Sequence, residues 1–461
     1  MSMRYLAGYI SASYNPLKVP NAPTIGVASP GSAQVSVTFT APSNVGGGAI
    51  TGYTVIVTDS SSGATFSGTG ASSPIVVTGL INGNTYTAKV FATNAYGPSA
   101  FSAPSGSFSY APKLYSWGNN TLGQLGQNDI VSRSSPVQVG AGITWSNIAG
   151  GASYTIATKT DGTLWSWGRN AYGQLGQNDR VYRSSPVQVG ALTTWSNIAA
   201  GGVHTLATKT DGTLWSWGYN TLGQLGQNDK VYRSSPVQVG TGTTWLNVAC
   251  GYRHTIATKT DGTLWSWGNN DRGQLGDNTS VYRSSPVQVG ALTTWSKVAG
   301  GYYHTIATKT DGTLWSWGNN GSGQLGQNNI IYRSSPVQVG ALTTWSKVAG
   351  GFAYTIANKT DGTLWSWGQN TSGQLGQNNT VYAVSSPVQV GALTTWSKIA
   401  CGFYHTVATK TDGTLWSWGR NTNGQLGDNT AAYRSSPVQV GALTTWLNIA
   451  GGAYHTIATS S

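Results

Sequence analysis

Between Lys113 and Ser461 the chain repeats one stretch of about fifty residues seven times, with few changes. Each copy reads close to LWSWGxNxxGQLGxNxxxYRSSPVQVGxxTTWSxIAGGxxHTIATKTDGT. A Trp-Gly step marks the copies at Trp117, Trp167, Trp217, Trp267, Trp317, Trp367 and Trp418, and a later tryptophan follows at Trp145, Trp195, Trp245, Trp295, Trp345, Trp396 and Trp446. A unit of this size cannot bury an apolar face by itself and must stack on its own copies. The chain is thereby confined to a solenoid or a closed ring.

The pattern inside a unit predicts short strands. They fall around Pro186 to Val189, Trp195 to Ala199, Thr205 to Thr208 and Thr213 to Trp217. Thr210-Asp211-Gly212 is the expected hairpin turn between the last two, with glycine supplying the positive φ. Four strands in fifty residues describe a propeller blade. A linear solenoid would need atypical polar caps, and the ends of this region look complementary instead. Lys113 to Gly118 reads as the last strand of a unit, whereas Thr445 to Ala450 and His455 to Thr459 read as the strands that precede it. Sharing one blade between the two ends would close the ring and remove its free edges.

These motifs resemble the regulator of chromosome condensation repeat. GQLG, the SPVQV strand, AGGxxHTIAT and DGTLWSWG carry the resemblance, over about three quarters of the chain. It implies a seven-bladed propeller. The family's eukaryotic founder resembles a nucleotide exchange factor for a small nuclear GTPase that binds chromatin, while related propellers bind proteins, light-signalling partners or membranes. No basic tail accompanies the repeats here.

Upstream, residues 1–20 read as an arm, with Tyr5, Ile10 and Tyr14 available to lie on a neighbour or on the next domain. Alternation over Gln34 to Phe39 predicts a half-buried strand, and further strands are expected over Tyr53 to Val57, Ser73 to Thr78 and Tyr86 to Thr93, with a turn at Asn82-Gly83-Asn84. Together residues 21–110 resemble a fibronectin type III domain. Leu80, Asn84 and Tyr86 match its tyrosine corner, Asn94 to Ser99 its late loop and Ser102 to Ser105 its exit strand. The family's early tryptophan is replaced by the Val37/Phe39 region. The expected architecture is all-β: a 1–20 arm, a 21–110 immunoglobulin-like β-sandwich, and a 113–461 seven-bladed β-propeller whose first blade the C-terminal strands complete.

Composition narrows function. Only 8% of residues are charged, Gly numbers 63, and the 13 acids are all Asp. The net charge of +12 is dispersed, so no nucleic-acid partner is expected. No apolar run is long enough for a membrane helix, and the N-terminus lacks a signal-peptide pattern. Cys250 and Cys401 hold equivalent places in separate repeats, and two small buried residues are expected rather than a disulfide.

The repeated polar residues are read as structural. His204, His254, His304, His405 and His455, with Tyr154 and Tyr354 in the same place, suit hydrogen bonding better than a metal crown, whose nitrogens must converge at about 2 Å from one ion. Asp161, Asp211, Asp261, Asp311, Asp361 and Asp412 fit turn chemistry. Arg133, Arg183, Arg233, Arg283, Arg333 and Arg434 fit packing between blades. No phosphate loop, nucleophile elbow or paired carboxylates stand out, so neither an enzyme nor a cofactor or metal is expected.

The departures from the repeat are the candidates for recognition. They fall after each Trp-Gly, at the residue typified by Arg180 and Lys230, and just before the His/Tyr position. The candidate partner-binding residues are Arg169, Tyr172, Arg180, Tyr219, Lys230, Tyr252, Arg253, Arg272, Tyr302, Tyr303, Phe403 and Arg420. The Glu-free, Gly/Thr/Ser/Asn-rich composition resembles that of bacteriophage virion proteins, and the leader resembles the starts of some cyanophage structural proteins. That resemblance implies a non-enzymatic virion protein in a tail, fibre or decoration. Other virion proteins would hold its arm and first domain, and a host-surface protein or glycan would meet its loops. The alternatives are a bacterial cell-surface or secreted adhesion protein, and a GTPase exchange factor or signalling scaffold.

Overall fold

The computed structural model describes residues 17–461 except 32, 82–83, 111 and 141–143. The proposed arm up to residue 16, with Tyr5, Ile10 and Tyr14, and the Asn82-Gly83 turn lie outside the described residues. The chain divides into two compact units, Met1–Ala111 and Pro112–Ser461.

The first unit is a β-sandwich. One sheet pairs Thr24–Gly31, Gln34–Thr40 and Ile75–Thr78; the other is built on Ile50–Asp59 and Thr85–Asn94, with Thr65–Gly70 at one side. Thr24–Gly31 and Thr65–Gly70 are strands that the sequence pattern does not announce, because Gly, Pro and Ser interrupt them. They sit against their partners through backbone bonds, with little apolar alternation of their own. Val35, Val37, Val55, Val57, Val77, Val90 and Tyr86 fill the core. Phe39 packs on Tyr53 at 4.7 Å between ring centroids, and both rings belong to this core. Tyr86 makes the expected corner: its hydroxyl accepts from the Ile81 amide at 2.8 Å and donates to the Ile81 carbonyl at 3.2 Å.

The second unit contains seven four-stranded antiparallel sheets among the described residues. A typical one runs Trp195–Ala200, His204–Lys209, Leu214–Gly218 and Arg233–Gln238. The first strand of each sheet borders a central channel, and the fourth is outermost. The outer strand starts several residues earlier than the SPVQV motif suggests. Arg233 pairs with Gly218, and an irregularity before Ser216↔Val237 absorbs the extra Ser-Ser residues.

The closing sheet mixes the two ends of the propeller. Its order is Arg133–Gln138, Lys113–Gly118, His455–Ser460, Trp446–Gly451. Gly118 pairs with His455 and Lys113 with Ser460.

Each apolar cluster straddles two consecutive blades. Tyr154, Ile156, Leu164, Leu175 and Val189 of one pack with Trp195, Ala207 and Trp217 of the next. Trp195 meets Trp217 edge to face at 6.1 Å, a favoured geometry for aromatic pairs. A lone blade therefore has no finished core. Polar stitches follow the same step. The His204 Nε2 lies 3.1 Å from Thr255 Oγ1 in the next blade. Thr255 Oγ1 donates to the Gln224 carbonyl at 2.8 Å, so it accepts from the imidazole and sets an Nε2–H tautomer. His254–Thr305, His304–Thr355, His405–Thr456 and His455–Thr155 repeat this at 2.9–3.2 Å. The last of them crosses the closure. Tyr154 and Tyr354 instead donate to the carbonyls of His204 and His405.

Burial pushes all five histidines down to about 3, so they are neutral. Space for each ring comes from a glycine: a Cβ at Gly251 would stand 2.0 Å from the His254 ring.

Candidate functional site

Strand direction sorts the loops onto two faces of the propeller. The inner strand and the third strand both run toward the face that carries the Gly-Gly-x-x-His loops and the long Trp-Gly to Arg-Ser-Ser loops. The opposite face carries the Thr-Asp-Gly turns and the Gly-Ala-Leu-Thr-Thr loops. All twelve sequence-selected residues lie in loops of the first face.

The repeated groups on both faces are consumed locally. In the hairpin turn the Asp211 carboxylate accepts from the Thr213 amide at 2.9 Å and hydroxyl at 2.6 Å, and these bonds hold its carboxyl below the usual range. Trp215 donates to Thr213, and the Lys209 ammonium sits 3.6 Å above the Trp215 ring. Arg133, Arg183 and Arg233 pair with Asp129, Asp179 and Asp229 at 2.5–2.6 Å. Arg283 and Arg434 pair with Asp277 and Asp428 at 2.8 Å. Five of the arginines thus tie their loops to their own blade, rather than acting between blades as expected, while Arg333, whose loop has Asn329 in place of the Asp, makes no ion pair among the described residues. Among the described residues no group of His, Cys and Asp could hold a metal ion.

The departures converge. Tyr172 and Tyr219 meet at 4.9 Å, and Tyr232 closes a triangle with them at 5.5 and 5.0 Å. Arg169 lies over Tyr172 at 5.4 Å and Arg180 over Tyr232 at 5.6 Å. Arg253 stands between two clusters, 5.5 Å from the Tyr219 ring and 5.4 Å from that of Tyr252. Tyr252 stacks on Tyr302 at 4.0 Å and 12°. Phe403, from the far side of the channel, reaches both at 5.8 and 5.5 Å. Phe352 and Tyr303 flank Tyr302 at 4.5 and 4.4 Å. Arg420 lies over Tyr404 and Tyr454 at 5.7 and 5.5 Å, and Phe403 meets Tyr454 at 5.9 Å.

One aromatic and basic network therefore runs from the rim at Arg169 across the channel mouth to Arg420. Burial and the neighbouring tyrosines push Tyr302 well above its ordinary value, so its hydroxyl stays protonated and able to donate.

Arg272 stands apart, over Tyr332 at 5.6 Å. Lys230 is exposed on the rim and joins none of these ring contacts among the described residues.

Tyr232 escaped sequence reasoning because it belongs to the constant YRSSP word; only the packing of its neighbours selects it. Phe352, Tyr404 and Tyr454 share the variable positions of Tyr302, Tyr303 and Phe403, and only their ring contacts bring them into the network. Beneath the aromatic cap the channel narrows to about 150 Å³, lined by paired glycines, Cys250 and Cys401. The cysteines are free and partly buried, not wholly buried as expected, since inner-strand ends face the channel. Burial pushes the Cys401 thiol up to about 12.

A further set of departures lies at the channel's other end. Lys297, Lys347 and Lys398 occupy the position that is Asn147, Asn197, Asn247 and Asn448 elsewhere. The signal was a change of charge at one fixed site in three successive repeats.

Comparison with known proteins agrees with this architecture. Residues 241–461 match the RCC1-like domain, and 113–158, 161–208 and 211–258 match the regulator of chromosome condensation (RCC1) repeat. Residues 21–107 match the fibronectin type III domain. A search of curated proteins finds no match.

Among solved structures, Prp20p from Saccharomyces cerevisiae is 21% identical, with a TM-score of 0.68, covering 76% of this chain and 92% of its own. Human WBSCR16 is 23% identical, with a TM-score of 0.69, covering 76% and 99%. Yeast RCC1 (Prp20) bound to Kap60 is 20% identical, with a TM-score of 0.68, covering 76% and 89%.

These matches overturn the expectation of a virion structural protein in a phage particle, and with it the virion-protein and host-surface partners, the extracellular or cell-surface location and the adhesion alternative. The repeats match the RCC1-like domain and RCC1 repeat and share the fold of Prp20p and WBSCR16. Composition misled for a physical reason. The Thr, Ser, Asn and Gln that suggested a particle protein are spent on inter-blade stitches, turns and loop bonds, so they report the fold and not its location.

Proposed function

From a propeller built of RCC1-like repeats behind a fibronectin type III domain, we propose a non-enzymatic regulator that docks a small GTPase on its aromatic and arginine face. The observation that carries this reading is the continuous network from Arg169 through Arg253 and Tyr252 to Arg420. The constant aspartates, threonines and most arginines of the repeat are engaged in turns, stitches and ion pairs of the scaffold, whereas these variable residues are packed against one another and only partly buried. Tyrosine and arginine are the residue types that dominate binding hot spots. Their mutual cation–π contacts, each about 0.5–1 kcal/mol at exposed sites, fix the side chains before a partner arrives and reduce the ordering cost of binding.

Structures of the similar yeast protein concern binding to Gsp1p and histones, and its complex with Kap60. Charge selects among these. Arg169, Arg180, Lys230, Arg253, Arg272 and Arg420 make the face basic: its carboxylates Asp129, Asp179, Asp229, Asp277 and Asp428 are each paired with an arginine of the repeat, which leaves Asp271 beside Arg272. Such a surface attracts an acidic patch and repels basic histone tails. An exchange-type partner needs no catalytic side chains on the propeller: binding the loaded GTPase and holding the nucleotide-free form more tightly lowers the nucleotide's affinity within the ternary complex and lets it leave.

The test is release of a fluorescent nucleotide from a Gsp1p-type GTPase. The full chain is expected to accelerate release, and Arg253→Ala and Tyr252→Ala to weaken both binding and acceleration by tenfold or more, about the loss of a hot-spot residue. Binding without acceleration would reduce the reading to a scaffold, and absence of binding would refute it.

A further inference from the structure

We propose that the central channel, at the end away from the aromatic face, is a binding site for a phosphate-class oxyanion. Lys297, Lys347 and Lys398 come from the inner strands of three successive blades and line one cavity of about 410 Å³ with Asn147, Asn448 and the aliphatic Ile148, Val298, Val348, Ile399 and Ile449. No carboxylate lines it among the described residues. Three ammonium groups thus face one space without a counter-charge.

The scaffold does not require them. Where the position is asparagine, the carboxamide donates to a backbone carbonyl of the next blade: Asn147 to Ser196, Asn197 to Leu246, Asn247 to Ser296 and Asn448 to Ser146, at 2.9–3.1 Å. Lys347 makes the same clasp to Ser397, and Lys398 donates to the Asn448 side chain at 2.8 Å. Neutral asparagine therefore closes the ring of clasps at no electrostatic cost. Replacing it by lysine in three neighbouring blades adds repulsion: burial and then the adjacent ammonium push Lys347 and Lys398 below the ordinary lysine range. Such repulsion is relieved when a multivalent anion sits among the three.

An ammonium with one N–H in a clasp keeps two for a ligand, and lysine serves phosphate as a compact point charge. Asn147 and Asn448 can supply polar contacts at the border. The volume accommodates a phosphate with a small organic group, so the ligand is either the free ion or a small phosphomonoester.

Titration calorimetry on the full chain, with inorganic phosphate and separately with a sugar phosphate, tests the site. The expected result is saturable binding that weakens as salt rises. Lys347→Asn should lower affinity about tenfold or more, the loss of one charge-assisted contact. The triple variant Lys297→Asn, Lys347→Asn, Lys398→Asn should abolish binding. Because asparagine already serves this position in four blades, these variants keep the clasp, and unchanged circular dichroism would confirm it. Lys89→Asn, which removes the same single charge as Lys347→Asn but from the first domain, should leave binding intact. Tighter binding of the sugar phosphate than of inorganic phosphate identifies an organic ligand; the reverse identifies the free ion. Absence of binding by the unmodified chain, or equal binding by the triple variant, overturns the proposal.

Discussion

Acidification should unfold the propeller through its five buried histidines, and by an amount that follows from their surroundings. Each is fully buried, neutral and held at about 3 against 6.5 for a free imidazole. The folded state therefore binds no proton at these sites between pH 6.5 and 3, whereas the unfolded chain does. Stability is full above pH 6.5 and falls as pH drops below it, with a slope of about 1.4 kcal/mol per pH unit for each histidine. From pH 7 to pH 5 this amounts to about 2 kcal/mol per histidine and ~10 kcal/mol for all five, comparable to the whole stability of a typical domain. Urea unfolding followed by tryptophan fluorescence at pH 7, 6 and 5 measures the change. The repeat supplies its own control, because Tyr154 and Tyr354 fill the same place and bond the next blade. The variant with tyrosine at positions 204, 254, 304, 405 and 455 should lose most of the acid sensitivity, and His304→Tyr alone about one fifth of it. A five-fold variant as acid-labile as the unmodified chain would refute this reasoning.

Two further outcomes follow from packing. Gly251→Ala places a methyl 2.0 Å from the His254 ring and should cost about 1–3 kcal/mol or more, whereas Gly240→Ala meets open space and should cost only the left-handed backbone penalty of about 1–2 kcal/mol; paired urea curves distinguish them. Trp446→Ala removes the buried ring that packs on Trp117 in the closing sheet. It should lower stability by about 3–5 kcal/mol and raise hydrogen exchange first in Lys113–Gly118 and His455–Ser460.

The blade plan was legible because it repeats. Trp-Gly steps, the Thr-Asp-Gly turn and complementary ends are local signals, and each has a local physical role. The histidines were readable as hydrogen-bonding residues for the same reason, since tyrosine replaces them twice. What the sequence hid were meetings between repeats. Arg253 and Tyr219 come from neighbouring blades, and Tyr252 and Phe403 from blades across the channel. Their contact depends on the width of the channel mouth, which no spacing in the chain expresses. Lys297, Lys347 and Lys398 were similarly hidden: a charge on an inner strand means little until the curvature of the ring turns three of them toward one space. The arginines were misjudged by one step, because an Asp four residues earlier in the same loop satisfies Arg183 before another blade can.

Because five of the seven junctions use the same His–Thr stitch and the other two a tyrosine in the same place, one blade boundary is chemically close to another. At the level of the gene, unequal recombination between near-identical repeats would add or delete a whole unit with both of its new junctions already matched. The scaffold's interfaces survive such an event, and only the curvature of the ring resists it. The recognition network does not survive, since it is spelled by single residues drawn from several different copies. A change in copy number would thus redraw the binding face in one step, while the residues that build the blades stayed the same.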